Sequence, residues 1–109
     1  AIDDMFKAEG NALPTPSLII SQVCKFYNID ETVLRGTQKN KGTAEARQIA
    51  MYLIRSMTNL SVVDIGKIFD NRDHSTVLYS IQQVEKKMKQ DPAYAEIVKE
   101  LKTNINSKR

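Results

Sequence analysis

A polar run over residues 71–76 stands directly before an apolar helical stripe, and its side chains could contact DNA bases. A carboxylate such as Asp73 accepts a hydrogen bond from cytosine, a hydroxyl such as that of Ser75 bonds to several bases, and the methyl of Thr76 can touch a thymine methyl. His74 can donate or pack its ring on thymine. The same residues also suit an ordinary surface turn, since Asp is a common N-cap. From the residue types alone, both interpretations stay open.

The elements around this run have the proportions of a helix-turn-helix. Apolar spacing predicts a short helix over 62–69, a tight turn over 70–72 and a longer helix over about 74–89. Asp70 and Asn71 suit the turn because both residue types tolerate the left-handed conformation. In such a unit the second helix can enter the DNA major groove with its first turn against the base edges. Helix-turn-helix proportions also recur by accident in helical proteins.

Basic residues are concentrated upstream of this unit. Against a single acidic residue, Glu45, residues 35–55 include Arg35, Lys39, Lys41, Arg47 and Arg55. A flexible basic loop can contact phosphates or enter a narrow A·T-rich minor groove. The alternative for its two lysines is a solvated loop.

The predicted start of the short helix offers another phosphate site. Ser61 is placed to cap that helix, and the N–H groups of Val62 and Val63 could hold a phosphate. Capping alone is the alternative, and it does not exclude the contact.

Length and composition predict one small all-α domain. The chain has 109 residues, 41% hydrophobic and 27% charged, which is enough for a single core. Its formal net charge of +3 permits a nucleic-acid partner without requiring one. No segment requires a strand, so we expect a compact bundle of five to six helices. These include one over 16–27 begun by Thr15 and Pro16, one over 43–58 capped by Thr43, and a last helix after Asp91.

The sequence does not indicate an enzyme or a metal site. Cys24 is the only cysteine and His74 the only histidine, so neither a zinc site nor a thiol–imidazole pair is expected, and Cys24 is interpreted as a core residue. The segment over 36–43 lacks the spacing of a P-loop, so ATP binding is not expected. No apolar run has membrane-spanning length, the N-terminal segment is acidic, and we expect a cytoplasmic protein without membrane contact.

Three blocks of the sequence resemble a known family. ARQIAMYLIR (46–55), IGKIF (65–69) and RDHSTV (72–77) are similar to the C-terminal domain, domain IV, of the bacterial chromosomal replication initiator protein DnaA. The similarity extends over about residues 17–105. It implies a Trp-repressor-like helix-turn-helix fold. It also implies that the partner is double-stranded DNA carrying the DnaA box, a sequence near TTATNCACA at the replication origin.

The resemblance assigns roles to individual positions. Asp73, His74 and Ser75 match positions that read bases in the major groove, and Lys39 falls where the family sends a loop arginine into the minor groove. Lysine is more strongly hydrated than arginine and lacks its planar fork, so we expect it to enter that groove less readily. Phosphate contacts are predicted for Lys41, Arg47, Gln48, Arg55, Ser61, Val62, Val63, Arg72, Thr76 and Tyr79.

The resemblance also implies a longer parent protein. Residues 1–14 would end a linker from a preceding ATPase domain, and residues 15–109 would form the helix-turn-helix domain. ATP would be bound by that other domain, which leaves this chain without a cofactor, a metal or a catalytic role. The parent would self-assemble on the origin at the nucleoid, and regulatory proteins could cover the same surface.

Two other interpretations stay open. A helical protein-interaction module is favoured by the loss of loop arginines and disfavoured by the intact RDHSTV. A repressor of ordinary genes is disfavoured because no dimer seam is evident in the sequence.

Overall fold

Helices make up most of the structure, a computed structural model that describes residues 14–36 and 41–107. Within these ranges there is no strand, and six helices follow one another: α1 Pro16–Tyr27, α2 Glu31–Arg35, α3 Lys41–Met57, α4 Val62–Ile68, α5 His74–Gln90 and α6 Pro92–Ser107. The predicted all-α bundle with a helix-turn-helix is confirmed. The predicted linker over 1–14 lies outside the described residues except for Pro14.

Side-chain caps fix where several helices begin. The hydroxyl of Thr15 accepts a hydrogen bond from Leu18 N at 3.1 Å, and Pro16 occupies the first turn of α1. Asp91 Oδ1 accepts from Ala93 N at 3.0 Å at the start of α6. These bonds satisfy backbone donors that have no partner within their helix, as the sequence predicts.

The start of α3 differs from the sequence prediction. Thr43 is predicted as the N-cap, but α3 begins at Lys41, and Thr43 lies within the helix with 2% exposure. Burial of this side chain against the core outweighs the local preference of threonine for a capping position. Residues 41–43, which are predicted to lie in a loop over 36–43, therefore belong to α3 instead. Lys39 and the side chain of Lys41 lie outside the described part of the chain.

The core forms around the central helix α3, which packs against α1, α2, α4 and α5, while α6 packs against α1 and α5. The largest fully buried aliphatic side chains of α1 and α3 belong to this core, and they include Ile19, Ile49 and Leu53. Burying such a side chain stabilises a fold by about 1.5–3 kcal/mol. The helical spacing of Ile19, Val23, Phe26 and Tyr27 predicts one apolar face for α1, but Phe26 is 40% exposed. That residue lies roughly a quarter-turn away from the buried face of α1.

Cys24 is a buried core residue, as predicted. Desolvation by burial is the main reason why the pKa of its thiol rises to about 11, so the thiol stays protonated at neutral pH. The described residues contain no group of three or more His, Cys, Asp or Glu side chains able to hold a metal ion. No helix in the described ranges is long and apolar enough to cross a membrane.

Candidate nucleic-acid interface

The turn between α4 and α5 has the backbone that the sequence predicts. Asp70 and Asn71 both adopt the left-handed conformation, with φ of 63° and 55°. Two such residues in succession reverse the chain tightly after Phe69. Arg72 N then donates to Gly66 O at 2.8 Å, which closes the turn against α4.

Gly66 allows the turn to approach α4 closely. A Cβ atom at this position would overlap the carbonyl oxygen of Arg72 and would also meet the side chain of Val77. Only glycine fits here without a shift of the backbone. This contact fixes the distance between the two helices of the helix-turn-helix, and the sequence interpretation did not assign it.

The guanidinium of Arg72 ties the turn to the end of α2. Its Nη1 donates to Arg35 O at 3.0 Å and to Phe69 O at 2.9 Å, and its Nη2 donates to Gly36 O at 2.6 Å. Burial lowers the pKa of this group, although it remains charged at neutral pH. Much of its hydrogen-bonding capacity is thus used within the protein. The phosphate contact of Arg72 stays a prediction.

The first turn of α5 projects from the core. Asp73 is the N-cap, and its Oδ2 accepts a hydrogen bond from Ser75 N at 2.9 Å. This bond is the largest cause of the lowered pKa of Asp73. The other oxygen, Oδ1, lies 3.9 Å from His74 Nδ1, and the side chains of Asp73 and His74 are 65% and 60% exposed. One carboxylate oxygen caps the helix while the other faces outward.

The three predicted base-reading residues therefore lie together on one exposed helix start. Ser75 and Thr76 are also exposed, whereas Val77 is fully buried and begins the face that packs on the core. This boundary separates a polar tip, residues 73–76, from the body of α5. The tip can enter a groove while the body stays fixed.

The predicted phosphate contacts of Gln48, Arg55, Thr76 and Tyr79 lie on surface positions. Arg55 is exposed, and only its Nη1 is engaged in a described bond, to Leu60 O at 2.9 Å. Tyr79 is 58% exposed, and it lines the same cleft as Gln48. Gln48 and Arg55 present donors from α3, and Thr76 and Tyr79 present them from α5.

The start of α4 is capped as predicted. Ser61 accepts a hydrogen bond from Asp64 N at 3.2 Å and donates to Asp64 Oδ2 at 3.1 Å. The N–H groups of Val62 and Val63 are at the free end of this helix. The nearby carboxylate of Asp64 opposes a second anion there. Phosphate binding by these three positions stays a prediction.

Arg47 lies inside the domain rather than on a basic surface. It is 7% exposed, its Nε donates to Leu34 O at 2.8 Å, and its Nη2 donates to Val33 O at 3.4 Å. Burial lowers the pKa of the guanidinium. Arg47 thus joins α3 to α2, which its charge in the sequence could not reveal. Its phosphate contact stays a prediction.

A family model described as the bacterial dnaA protein helix-turn-helix matches residues 16–84. The chain belongs to this family. The chromosomal replication initiator protein DnaA of Lachnoclostridium phytofermentans is 38% identical over 106 residues, which are 97% of this chain and 23% of that protein. The corresponding protein of Caldanaerobacter subterraneus subsp. tengcongensis is 42% identical over 91 residues, 84% of this chain and 20% of that protein.

Two longer solved structures share the fold. A crystal structure of a DNA replication initiation factor superposes with a TM-score of 0.77 at 31% identity, covering 85% of this chain and 28% of that one. AMPPCP-bound DnaA from Aquifex aeolicus gives a TM-score of 0.69 at 33% identity, with 85% and 27% covered. This chain therefore spans only about a fifth to a quarter of the curated relatives and slightly more of the solved chains.

The DnaA family match covers α4, the turn and the first part of α5, including its tip and the contact between Gly66 and Arg72. The chain is accordingly a DNA-binding helix-turn-helix domain of the DnaA family. The end of α5 and all of α6 lie beyond the matched residues, and α6 packs on α1 and α5 to complete the DnaA domain's core.

Proposed function

We propose that this DnaA domain binds duplex DNA sequence-specifically, at DnaA boxes near TTATNCACA, and so places a replication initiator on the chromosomal origin. The observation that supports this proposal is the exposed polar tip of α5, held on a rigid helix-turn-helix. The tip presents Asp73, His74 and Ser75 together. The parent protein would act at the nucleoid in the cytoplasm.

In the proposed complex α5 enters the major groove with its N-terminal turn against the base edges. The outward oxygen of Asp73 can accept from a cytosine amino group, and the hydroxyl of Ser75 can bond to a neighbouring base. His74 can donate or pack on thymine. The bond from Ser75 N holds the Asp73 carboxylate in place before DNA arrives, so little conformational entropy is lost on binding.

Phosphate contacts set the position of the domain on the duplex. Arg55 and Tyr79 supply donors from exposed positions, Gln48 lines a cleft with Tyr79, and Thr76 is exposed on α5. Such contacts carry affinity without reading sequence, and the charged one, from Arg55, also makes binding more sensitive to salt.

The basic loop forms a second part of the proposal. We assign Lys39 to the minor groove and Lys41 to a phosphate, on the resemblance described above. A narrow A·T-rich minor groove has a strongly negative potential, which favours inserted cations. Lys39→Ala should therefore lower box affinity and the salt dependence together.

The domain should need no cofactor. Every group assigned to DNA recognition is a protein side chain or backbone N–H, and ATP would belong to another domain of the parent protein. Box affinity should be the same with ATP and Mg²⁺ as with EDTA. Self-assembly on the origin and regulatory proteins on the same surface belong to the parent protein and require its full length for testing.

Fluorescence anisotropy with two labelled duplexes tests the proposal. One duplex carries a single TTATCCACA box and the other a scrambled sequence of the same composition, both at near-physiological salt. Tight binding to the box alone supports base reading by α5. Equal weak binding to both duplexes, or binding to neither, contradicts it.

A further inference from the structure

A polar cleft extends the candidate DNA surface beyond the residues assigned so far. The cleft has a volume of about 370 Å³ and lies between α3 and the C-terminal half of α5. It is lined by Gln48, Tyr79, Gln83, Lys86, Lys87 and Gln90. Every one of these side chains carries a hydrogen-bond donor, and none of them is a carboxylate. This lining suits an anion.

The cleft lies on the same face of α5 as the polar tip. Lys86 follows Ser75 by eleven residues, close to three helical turns, so both lie on one face of α5 with Tyr79 between them. The axial distance from Ser75 to Lys86 is roughly 16 Å. A helix that enters the major groove tip-first leaves it over the sugar–phosphate backbone. The cleft therefore lies where α5 would cross that backbone.

The ammonium group of Lys86 has no described partner, whereas that of its neighbour Lys87 has two. Lys87 Nζ lies 3.4 Å from Glu45 Oε1 and 4.7 Å from the centre of the Tyr94 ring, so Lys87 is engaged with other side chains although it is half exposed. Lys86 is exposed and has no ion pair or hydrogen bond among the described residues. Because Lys87 is paired with the carboxylate of Glu45 and Lys86 has no such pair, the positive charge of Lys86 is the one left to act in the cleft.

We propose that Lys86, together with Gln83 and Gln48, binds a backbone phosphate of the duplex beyond the bases read by the tip. This inference rests on the proposed function and extends it by one contact. The site would stabilise the register of α5 in the groove and add salt-dependent affinity without adding sequence preference.

Paired lysine substitutions on α5 test the inference. Lys86→Ala and Lys89→Ala remove the same charge three residues apart, but Lys89 lies in a different cleft, with Tyr52, Glu85 and Met88. Anisotropy titrations on the box duplex from 50 to 200 mM salt measure the slope of the log binding constant against log salt concentration. For Lys86→Ala this slope should be smaller in magnitude by about 0.9 than for the wild type, so its affinity should fall roughly threefold less over that range. Lys89→Ala should keep the wild-type slope.

Neutral phosphates identify the contact directly. A series of box duplexes, each with one methylphosphonate linkage, should include one position at which wild-type affinity falls to that of Lys86→Ala. At that position the two proteins should bind equally. Circular dichroism of both variants checks that the fold is kept.

The outcomes separate this inference from the proposed function. If wild-type protein distinguishes box from scrambled DNA but Lys86→Ala and Lys89→Ala behave alike, the inference is overturned and the proposed function stands. If wild-type protein shows no preference for the box, both are overturned. The site is established if only Lys86→Ala changes the slope and if wild type and Lys86→Ala bind equally to a duplex with one particular neutral phosphate.

Discussion

Gly66 and Arg72 are in backbone contact: Arg72 N donates to Gly66 O at 2.8 Å, and no side chain fits between Gly66 and the carbonyl of Arg72. This pair sets how closely α4 and the start of α5 approach each other. The angle at which the polar tip projects from the domain depends on it. In the proposed complex, the contact therefore links the stability of the domain to DNA recognition.

Gly66→Ala should destabilise the domain by about 1–3 kcal/mol, because the added methyl must displace the backbone of the turn. Urea denaturation measures this change, and the shifted turn should also lower box affinity in the folded protein. Gly42→Ala is a suitable control, since Gly42 is exposed near the start of α3 and alanine favours helix. Equal stability of the two variants would contradict the close-contact argument.

His74→Ala should weaken box binding by roughly 1–3 kcal/mol while leaving scrambled DNA nearly unaffected. The side chain is exposed, so its removal leaves the core and the fold intact. Anisotropy on both duplexes separates specific from general binding. A loss of the same size on box and scrambled DNA would remove His74 from the base-reading set.

Asp73→Asn and Asp73→Ala separate two roles of one side chain. Asparagine keeps an oxygen for the bond from Ser75 N but loses the charge, so thermal stability should be kept while preference for the cytosine of the box falls. Alanine removes the cap as well and should lower thermal stability. If Asp73→Asn binds every box variant as the wild type does, Asp73 is a cap only.

Acidification should weaken the same cap. Because folding lowers the pKa of Asp73, its charged form is favoured in the folded state. The resulting stability is present above the unfolded-state pKa, about 4, and is lost as the pH falls through the folded-state value. Melting temperatures between pH 7 and pH 3 should fall more steeply for the wild type than for Asp73→Asn. Parallel curves would show that this carboxylate does not contribute.

Arg72→Gln should destabilise the domain by about 1–3 kcal/mol, since backbone carbonyls of Arg35, Gly36 and Phe69 lose a charged donor. The salt-dependence slope of DNA binding should stay unchanged if the guanidinium is used wholly within the protein. Arg35→Gln is the control, as its ion pair with Glu31 is on the surface and contributes little. A slope reduced by about 0.9 would instead support the phosphate contact implied by the family resemblance.

The fold could be predicted from the sequence wherever a local rule decided it. Asp70 and Asn71 were expected in the left-handed region because their side chains tolerate it, and both adopt it. The caps at Thr15, Ser61 and Asp91 follow the same logic. Thr43 shows the limit, since burial overrides its local preference for a cap.

The candidate site was predictable in its residue types and less so in its contacts. The polar tip of α5 follows from the position of Val77, where the buried face begins. The roles of Arg47 and Arg72 could not be inferred, because a positive charge in the sequence does not reveal which carbonyls it meets in the fold. Their acceptors lie 13 to 37 residues away along the chain, with the exception of Phe69. The spacing rules used on the sequence do not extend that far.

The boundary at Val77 separates the residues proposed to read DNA from those that hold the fold together. Positions 74–76 are exposed and do not pack on the core, so their side chains can be exchanged with little loss of folding stability. Position 73 is more restricted, because only residues that can cap a helix keep α5 intact. A library over these four positions, with the first confined to Asp, Asn, Ser and Thr, would sample new specificities on an unchanged scaffold.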